Sequence, residues 1–315
     1  MLLGISISSN IFSLFLIVPV HLYFVFISSI LNTIKDVKLM KGFTQKKIAL
    51  INDVTGFGRC SLAVALPIIS ALKVQCSFLP TAILSNHTGF NTFFFDDYTS
   101  NMEQYINAWE KINVKFDGIC TGFLGSKEQI DIVIDFIKKF KTENNIIIVD
   151  PVMGDNGKIY STYTDEMCEK MQQLIKYADC ITPNFTELCR LLDIAYPKET
   201  PSLEELNNLC IKLSKQGPSK IVITGLKRDD YIENFVFEKH KEFKSIKVKR
   251  AGKDRPGTGD IFSSIVSASL VKGEDFTHCV KKATDFISKS LAFTENIGLE
   301  QSHGVCFEEF LTQLK

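Results

Sequence analysis

The chain has 315 residues, 45% of them hydrophobic and 23% charged, which suffices for one large or two modest folded domains and excludes a mainly disordered chain. Its 36 Lys and Arg residues balance its 36 Asp and Glu residues, which argues against a dedicated nucleic-acid binder, because such proteins carry a basic excess. The nine cysteines are irregularly spaced and form no C-x-x-C pair. This pattern favours reduced, mostly buried thiols in a cytoplasmic protein over a zinc site or a disulfide scaffold.

Residues 1–39 form an apolar N-terminal segment that differs from the rest of the chain. No charged residue occurs from Ile11 to Leu31, and a run of that length could span a bilayer. The sequence after Met40 is typical of the start of a cytosolic protein, so we favour Met40 as the physiological start and 1–39 as translated upstream sequence. A membrane anchor through Ile11–Leu31, with the remaining chain on the inner face, is the alternative. Either way, the functional domain is predicted at 40–315.

From Lys46 onward, short apolar runs alternate with longer amphipathic segments. Strands are predicted at Ile48–Ile51, Val74–Leu79, Gly118–Cys120, Ile146–Val149, Cys180–Thr182 and Ile221–Thr224. Helices are predicted at Ser61–Leu72, Met102–Ile112, Lys127–Phe140, Asp165–Tyr177 and Leu203–Lys215, the third and the last with capping boxes at Ser126 and Ser202. A hairpin-like pair, Tyr231–Phe237 and Ser245–Lys249, then precedes helices at Ile261–Val271 and Thr277–Phe293. This alternation predicts a single α/β domain with an open, mostly parallel sheet and helices on both faces.

The run Gly257-Thr258-Gly259-Asp260 stands directly before an apolar helix. Its two glycines allow a tight turn whose backbone N–H groups point outward at the helix N-terminus, an arrangement that binds anions. Asp260 places a carboxylate at the rim of this turn, which favours a role in removing a proton from a substrate. The alternative is an ordinary turn followed by an acidic residue that suits the helix dipole, and the spacing alone leaves both open.

Acidic and amide side chains follow two successive predicted strands. Asp150 comes directly after the strand Ile146–Val149 and is therefore aimed at the crevice in which α/β sheets bind ligands. Asn184 and Glu187 follow the next strand, and Glu187 lies close to Asp150 if the two strands are neighbours. Carboxylates near phosphates suit Mg²⁺ held largely through water. The alternative for Asn184 and Glu187 is a plain helix cap.

Two further segments stand out between Leu79 and the second predicted helix. The run Ser85-Asn86-His87-Thr88-Gly89 is polar between apolar neighbours and offers donors and acceptors to a small polar substrate. A lone loop histidine is more often structural than catalytic, so His87 is not expected to act as a base. The aromatic run Phe93–Phe95 favours a core or subunit contact.

Taken together, these segments resemble the ribokinase-like superfamily and, within it, the vitamin B6 kinases. The resemblance rests on Ser85-Asn86-His87-Thr88-Gly89, Gly122-Phe123-Leu124-Gly125-Ser126, Asp150-Pro151-Val152-Met153-Gly154, Thr182-Pro183-Asn184-x-x-Glu187 and Gly257-Thr258-Gly259-Asp260. The Asp-Pro-Val-Met-Gly and Gly-Thr-Gly-Asp segments are shared with hydroxymethylpyrimidine kinases, whereas Ser-Asn-His-Thr is more particular to B6 kinases. The implied fold is ribokinase-like, with a central, mostly parallel sheet flanked by helices on both faces.

The resemblance implies ATP-dependent phosphorylation of the 5′-hydroxymethyl group of pyridoxal, pyridoxine or pyridoxamine. It makes Asp260 the general base and the amides of Gly257, Thr258, Gly259 and Asp260 the anion hole. It implies substrate contacts at Asn52, Asp53, Ser85, His87, Thr88 and Gly89, nucleotide contacts at Asp150, Asn184, Glu187, Thr224, Gly257 and Gly259, and Mg²⁺ at Asp150 and Glu187. It further implies ATP as co-substrate, room for a monovalent cation, a homodimer, a cytoplasmic location and no nucleic-acid partner.

Two departures from the family patterns bear on the substrate. Many pyridoxal kinases carry a Ser-His pair after the first strand, whereas this chain has Asn52-Asp53, which leaves the preferred vitamer open. Hydroxymethylpyrimidine phosphate kinases commonly carry Cys at the position of Asp260, so the aspartate favours a B6 kinase. The alternatives are a hydroxymethylpyrimidine or sugar kinase with the same machinery, or a catalytically silent nucleotide-binding protein, against which the intact Asp260 argues.

Overall fold

A nine-stranded sheet organises the chain in a computed structural model that describes residues 44–314. The strands are β1 (Lys47–Thr55), β2 (Gln75–Leu84), β3 (Phe95–Asp97), β4 (Gly118–Thr121), β5 (Ile146–Val149), β6 (Gly154–Asp155), β7 (Lys158–Ile159), β8 (Cys180–Ile181), β9 (Lys220–Arg228), β10 (Tyr231–Glu238) and β11 (Lys244–Lys249). The order across the sheet is β11-β10-β9-β8-β5-β4-β1-β2-β3, and β6 and β7 form a separate ribbon. The strands from β9 to β2 are parallel, and only β3, β10 and β11 at the edges pair antiparallel. The mostly parallel sheet predicted from the sequence is confirmed.

Helices cover both faces of this sheet. They are α1 (Ser61–Ala71), α2 (Thr99–Lys111), α3 (Lys127–Phe140), α4 (Asp165–Leu174), α5 (Phe185–Leu191), α6 (Leu203–Ser214), α7 (Thr258–Val271) and α8 (Phe276–Asn296). Because side chains alternate along a strand, Ala49 and Ile51 of β1 pack in the core under α2 to α6, whereas Ile48 and Leu50 pack against α1, α7 and α8. The apolar runs of the strands are thus buried on both sides, which confirms the predicted layering.

β1 and β2 are longer than predicted, and an irregularity between them shapes the site. The second strand was predicted to end at Leu79, but β2 continues through Pro80 to Leu84. Pro80 pairs with Asn52 where the register of β1 shifts, and such an irregularity tolerates a residue without an N–H donor. Consecutive residues of a regular strand point to opposite faces, but here both Asn52 and Asp53 line the same cavity.

Side-chain caps start several of the helices. Ser202 and Glu205 form the predicted capping box at α6. At α3 only half of the predicted box is present: Ser126 accepts a hydrogen bond from the N–H of Gln129, but the Gln129 side chain accepts the N–H of Gly125 at 2.7 Å instead of reaching back to Ser126. The Gln129 amide also donates to the carbonyl of Thr81 at 2.8 Å, which explains why it turns away from the cap.

The chain from Lys46 onward forms one compact unit. All nine cysteines lie in it, are free and are mostly buried, as their spacing predicted. Within residues 44–314, no helix is long and apolar enough to cross a membrane. The predictions for 1–39, Ile11–Leu31 and Met40 lie outside the described residues.

Candidate active site

A cavity of about 740 Å³ opens at the carboxyl ends of the parallel strands. The strand order reverses between β1 and β4, since β2 follows on one side of β1 and β4 to β9 on the other, and such a reversal is where open α/β sheets bind ligands. Most of the predicted site residues line the cavity: Asn52, Asp53, His87, Thr88, Asp150, Asn184, Glu187, Thr224, Gly257, Thr258, Gly259 and Asp260. Ser85 and Gly89 lie outside the lining and are exposed.

The Gly257–Asp260 turn forms the N-terminus of α7. Gly257 has a φ of +81°, and a Cβ atom there would lie 1.9 Å from the carbonyl oxygen of Arg59, so only glycine fits. The first hydrogen bond of the helix runs from the N–H of Ile261 to the carbonyl of Gly257. The preceding N–H groups are therefore not used by the helix; that of Asp260 contacts its own carboxylate, and those of Gly257, Thr258 and Gly259 are left for an anion in the cavity.

Asp260 lies beside this turn, with its carboxylate held by neighbouring donors. It accepts a hydrogen bond from the Asn52 amide at 3.4 Å and one from the backbone N–H of Ser61. The Asn52 orientation is fixed, because its oxygen accepts the N–H groups of Phe123 at 2.9 Å and Asp53 at 3.0 Å, which directs its NH₂ group at Asp260. Burial, reinforced by the charge of Asp53, raises the pKa of Asp260 to about 6. Such a carboxylate is ionised at neutral pH and still basic enough to accept a proton.

The segment 56–61, which joins β1 to α1 and includes the first residue of α1, carries backbone strain next to Asp260, and we name it the strained loop. Ser61 has a φ of +55° and Arg59 one of +48°, both in the left-handed region that disfavours residues with a Cβ. The strained conformation of Ser61 aims its N–H at Asp260, while its hydroxyl and that of Thr55 donate to Asp53. Burial raises the pKa of Asp53, although these two hydroxyls lower it. Strain of this kind is characteristic of functional sites.

A second acidic pair, Asp150 and Glu187, lines the same cavity as the Gly257–Asp260 turn, which we name the anion-binding turn after its predicted role. Burial, followed by the charge of Asp260, raises the pKa of Asp150 to about 7. Burial and the charge of Asp150 raise the pKa of Glu187 well above its ordinary value. The two oxygens of Glu187 accept the N–H groups of Met153 at 3.1 Å and Asn184 at 2.8 Å, and the latter bond completes a capping box at α5. The cap suggested as an alternative for Asn184 and Glu187 is therefore present.

The donor set around Asp150 fits a magnesium ion. Within residues 44–314, no group of three or more His, Cys, Asp or Glu side chains could hold a metal by itself. Mg²⁺ in phosphoryl-transfer sites needs only one or two carboxylates, together with phosphate oxygens and water. The Thr182 hydroxyl lies next to Asp150, whose pKa it lowers by hydrogen bonding, and it lines the same cavity, so its oxygen lone pairs are available to such a hydrated ion.

His87 is held by its backbone surroundings. Its Nδ1 accepts the N–H of Gly89 at 3.1 Å, so its Nε2 carries the proton and donates to the carbonyl of Ser302 at 2.8 Å. With both nitrogens in use, the ring is not a free base, in agreement with the sequence prediction. The hydroxyl of Ser85 is likewise occupied, because it donates to Asn86 at 2.7 Å and accepts the N–H of Phe94 at 2.8 Å.

The far end of the cavity contains residues that the sequence analysis missed. An apolar slot is formed by Leu226, Ile232, Val248, Ile287 and Leu291, and basic side chains at its rim belong to Lys227, Lys249, Arg250 and Lys253. These residues come from β9, β10, β11, the loop that follows and α8, and none belongs to a recognisable motif. The pattern in the sequence that points to the slot is the apolar pair Ile287 and Leu291 of α8, spaced i, i+4. By itself this spacing is typical of any helix that faces a core.

Comparisons with known proteins find similar kinases. The family model described as phosphomethylpyrimidine kinase matches residues 66–306. A hydroxymethylpyrimidine/phosphomethylpyrimidine kinase of Aquifex aeolicus is 30% identical over 186 residues, which are 58% of this chain and 69% of that protein. The crystal structure of a phosphomethylpyrimidine kinase candidate from Bacteroides thetaiotaomicron, in a form with pyridoxal, is 38% identical with a TM-score of 0.83 and covers 86% of this chain and 96% of its own. Pyridoxal kinase from Lactobacillus plantarum is 25% identical with a TM-score of 0.79, over 86% of this chain and 97% of its own.

These similar proteins comprise both pyrimidine kinases and pyridoxal kinases. The resemblance to ribokinase-like B6 kinases is thereby confirmed at the level of family and fold. The chain belongs to the phosphomethylpyrimidine kinase family and is a kinase with the ribokinase-like α/β fold.

Proposed function

We propose that this kinase transfers the γ-phosphoryl group of ATP to the 5′-hydroxymethyl group of a B6 vitamer. The observation that carries the proposal is the position of Asp260, a carboxylate with its pKa raised to about 6 by burial, between the anion-binding turn and the side chains of Asn52 and Asp53. A hydroxyl group bound there would have a base on one side and a phosphoryl site on the other.

The acceptor end of the cavity favours a pyridine over a pyrimidine. Asp53 is a buried carboxylate there, and Asn52 and Thr88 add polar groups on the same lining, which His87 also reaches with its ring. The ring nitrogen of a pyridine is more basic than that of a pyrimidine, and a protonated ring nitrogen offsets the charge of a buried carboxylate better. The Bacteroides thetaiotaomicron relative, at 38% identity, was crystallised with pyridoxal, which supports the same choice.

In the proposed mechanism, Asp260 accepts the proton of the substrate hydroxyl while the hydroxyl oxygen forms a bond to the γ-phosphorus. The bond from that phosphorus to the β–γ bridging oxygen breaks, and ADP leaves with the electron pair. The amides of Gly257–Asp260 stabilise the charge on the transferred group. Asp150 and Glu187, with the Thr182 hydroxyl, would hold Mg²⁺ through water; when bound, the ion neutralises charge on the phosphates.

The apolar slot at the far end suits the base of ATP. A flat ring would pack against Ile232 and Leu291, and the phosphates would pass Thr224, which lines the same cavity. Two lysines at the rim, Lys227 and Lys253, would offset the negative charge of the phosphates. Lys227 also donates a hydrogen bond to the Asp254 carboxylate at 2.8 Å. Asn184 lies beside the same path and pairs with Thr224 through a backbone bridge.

A substrate panel tests the proposal. ADP release should be measured with pyridoxal, pyridoxine, pyridoxamine, hydroxymethylpyrimidine, its monophosphate and a simple sugar. We expect kcat/KM for at least one B6 vitamer to exceed that for every pyrimidine by about tenfold or more, because one misplaced polar group in such a pocket costs about 1–3 kcal/mol. A higher value for hydroxymethylpyrimidine would overturn the B6 assignment and favour the alternative, a hydroxymethylpyrimidine kinase, which the Aquifex aeolicus relative supports. ADP release with none of the alcohols would favour a catalytically silent protein.

The metal assignment predicts different effects for the two acidic residues. Asp150→Asn should raise the Mg²⁺ concentration needed for half-maximal activity with little loss of melting temperature, because this carboxylate faces the cavity. Glu187→Gln should raise the Mg²⁺ requirement and also lower the melting temperature, since its oxygens accept two backbone N–H groups and a glutamine has only one acceptor oxygen. An unchanged Mg²⁺ dependence for Glu187→Gln would show that this residue is only a cap.

The remaining parts of the proposal concern assembly and ions. Phe93, Phe94 and Phe95 are 43%, 63% and 38% exposed at the edge of the sheet, so a core role is excluded and a subunit contact fits better. We propose that the protein is a cytoplasmic homodimer that uses ATP and Mg²⁺ and has room for a monovalent cation. Sedimentation of the wild-type chain and of Phe94→Ser checks the dimer, which should weaken in the variant.

A further inference from the structure

One short segment behind the cavity receives hydrogen bonds from several site loops. Residues 299–304, which we name the carbonyl turn, follow α8 and include a 3₁₀ turn at Gln301–His303. None of its residues lines the cavity. The segment therefore does not contact a bound substrate, and any effect on the reaction must pass through the loops that it holds.

Arg255 connects the anion-binding turn to this segment. Its side chain is only 3% exposed and lies two residues before Gly257. The guanidinium donates to the carbonyls of Leu299 at 2.8 Å, Glu300 at 2.9 Å and Gly304 at 3.3 Å. Its Nε also donates to the Glu295 carboxylate at 3.0 Å at the end of α8, so the buried charge is paired and its donors are satisfied.

The loops at the end of the cavity proposed for the alcohol substrate are attached to the carbonyl turn by two other residues, His87 and Arg59. His87 donates to the carbonyl of Ser302 at 2.8 Å, and Arg59 donates to that of His303 at 3.2 Å. Arg59 belongs to the strained loop whose Ser61 N–H holds Asp260. Gly304 packs so closely on this loop that a Cβ there would lie 2.6 Å from the carbonyl oxygen of Gly58.

We infer that the carbonyl turn fixes the loops 56–61 and 85–90, which carry the residues facing the alcohol substrate, relative to the anion-binding turn. Arg255 and His87 are positioning residues that act through this segment. Phosphoryl transfer requires the attacking oxygen, the base and the anion hole in one geometry, and displacements of about 1 Å can cost about 10²-fold in rate. A rigid segment shared by the loops supplies this geometry without touching the reactants. As a statement about catalysis, the inference rests on the proposed kinase mechanism.

The kinetic test is a double-mutant cycle between residues that do not touch each other. His87→Asn removes the donor to Ser302, whereas His87→Gln keeps an N–H group at the position of Nε2. We expect His87→Asn and Arg255→Lys each to lower kcat by about tenfold with the KM for ATP within about twofold of wild type, and His87→Gln to restore most of the loss. The double variant His87→Asn/Arg255→Lys should be little worse than the worse single variant, since either change already releases the segment. If the fold-loss of kcat in the double variant equals the product of the two single losses, the inference is overturned.

Amide hydrogen exchange tests the same coupling without any substrate. Arg255→Lys should speed exchange in 86–90, which Arg255 does not contact, and His87→Asn should speed it in 256–260; Arg190→Lys, an exposed arginine paired with Asp165, is the control. Exchange that rises only in each variant's own loop would overturn the inference, even if every alcohol proves to be a substrate. Coupled exchange together with no phosphorylation of any alcohol would instead refute the proposed function and leave the positioning intact.

Discussion

Replacing Asp260 by Asn is expected to lower kcat by about 10²–10⁴-fold while ATP affinity stays nearly unchanged. The amide keeps the shape of the side chain but cannot accept the hydroxyl proton. Because the pKa of Asp260 is raised to about 6 by burial, the base is lost as the pH falls through that value, so wild-type kcat/KM should rise with pH between about 5 and 7. The residual kcat/KM of the variant should not show this rise with pH. Steady-state kinetics over this pH range, with an ATP-binding measurement, provide the check.

The competing structural role for Asp260 gives the reverse pattern. If the residue only complements the dipole of α7, Asp260→Asn would leave kcat within a few-fold of wild type and reduce stability by about 0.3–1 kcal/mol. Glu204→Gln is a matched control for that effect, because Glu204 is an exposed acidic residue in the first turn of α6. Retained turnover in Asp260→Asn would remove Asp260 as the base and with it the proposed mechanism.

Gly257→Ala is expected to lower kcat by about 10²–10³-fold, the usual cost of losing one donor of an oxyanion hole. The new methyl group would lie 1.9 Å from the carbonyl oxygen of Arg59, so the turn or the strained loop must move. Either movement displaces the amides that face the phosphoryl group. We also expect a stability loss of roughly 1 kcal/mol, because φ is +81° there. Kinetics and thermal unfolding of the variant measure both effects.

Gly273→Ala separates the steric effect from the backbone effect. Gly273 has a φ of +83° after the end of α7, and nothing lies within 4 Å of the position of its Cβ atom. This control should show the stability loss that comes from the backbone conformation, without any loss from a steric contact, and an unchanged kcat. If Gly257→Ala behaves like Gly273→Ala, the close contact between the anion-binding turn and the Arg59 carbonyl does not matter for turnover.

The sequence predicted the parts of the site that depend on local geometry. Asp150 follows a short apolar strand and a glycine turn precedes α7, so their positions at the crevice follow from the rule that ligands bind at the carboxyl ends of parallel strands. The helix Lys127–Phe140, whose apolar periodicity is strong, was predicted with its correct bounds, whereas the other helices differ from their predictions by one to three residues at an end.

The parts that were missed depend on tertiary contacts. The irregularity opposite Pro80 turns Asn52 and Asp53 to the same side, and it arises from the pairing of β1 with β2, which no local pattern reveals. The Gln129 side chain leaves its cap for a carbonyl of β2 for the same kind of reason. The role of Arg255 was not predicted, because only the fold brings backbone carbonyls around it.

The contacts that complete the site join parts of the chain that are far apart in sequence. Asn52 and Asp260 are separated by 208 residues, His87 and Ser302 by 215, and Arg59 and His303 by 244. Closing such long loops is entropically costly and slow, so we expect these contacts to form late during folding. A refolding chain should therefore regain its ellipticity before its activity, and a species in which the sheet has formed but residues 299–304 have not docked would look folded to spectroscopy and yet turn over no substrate.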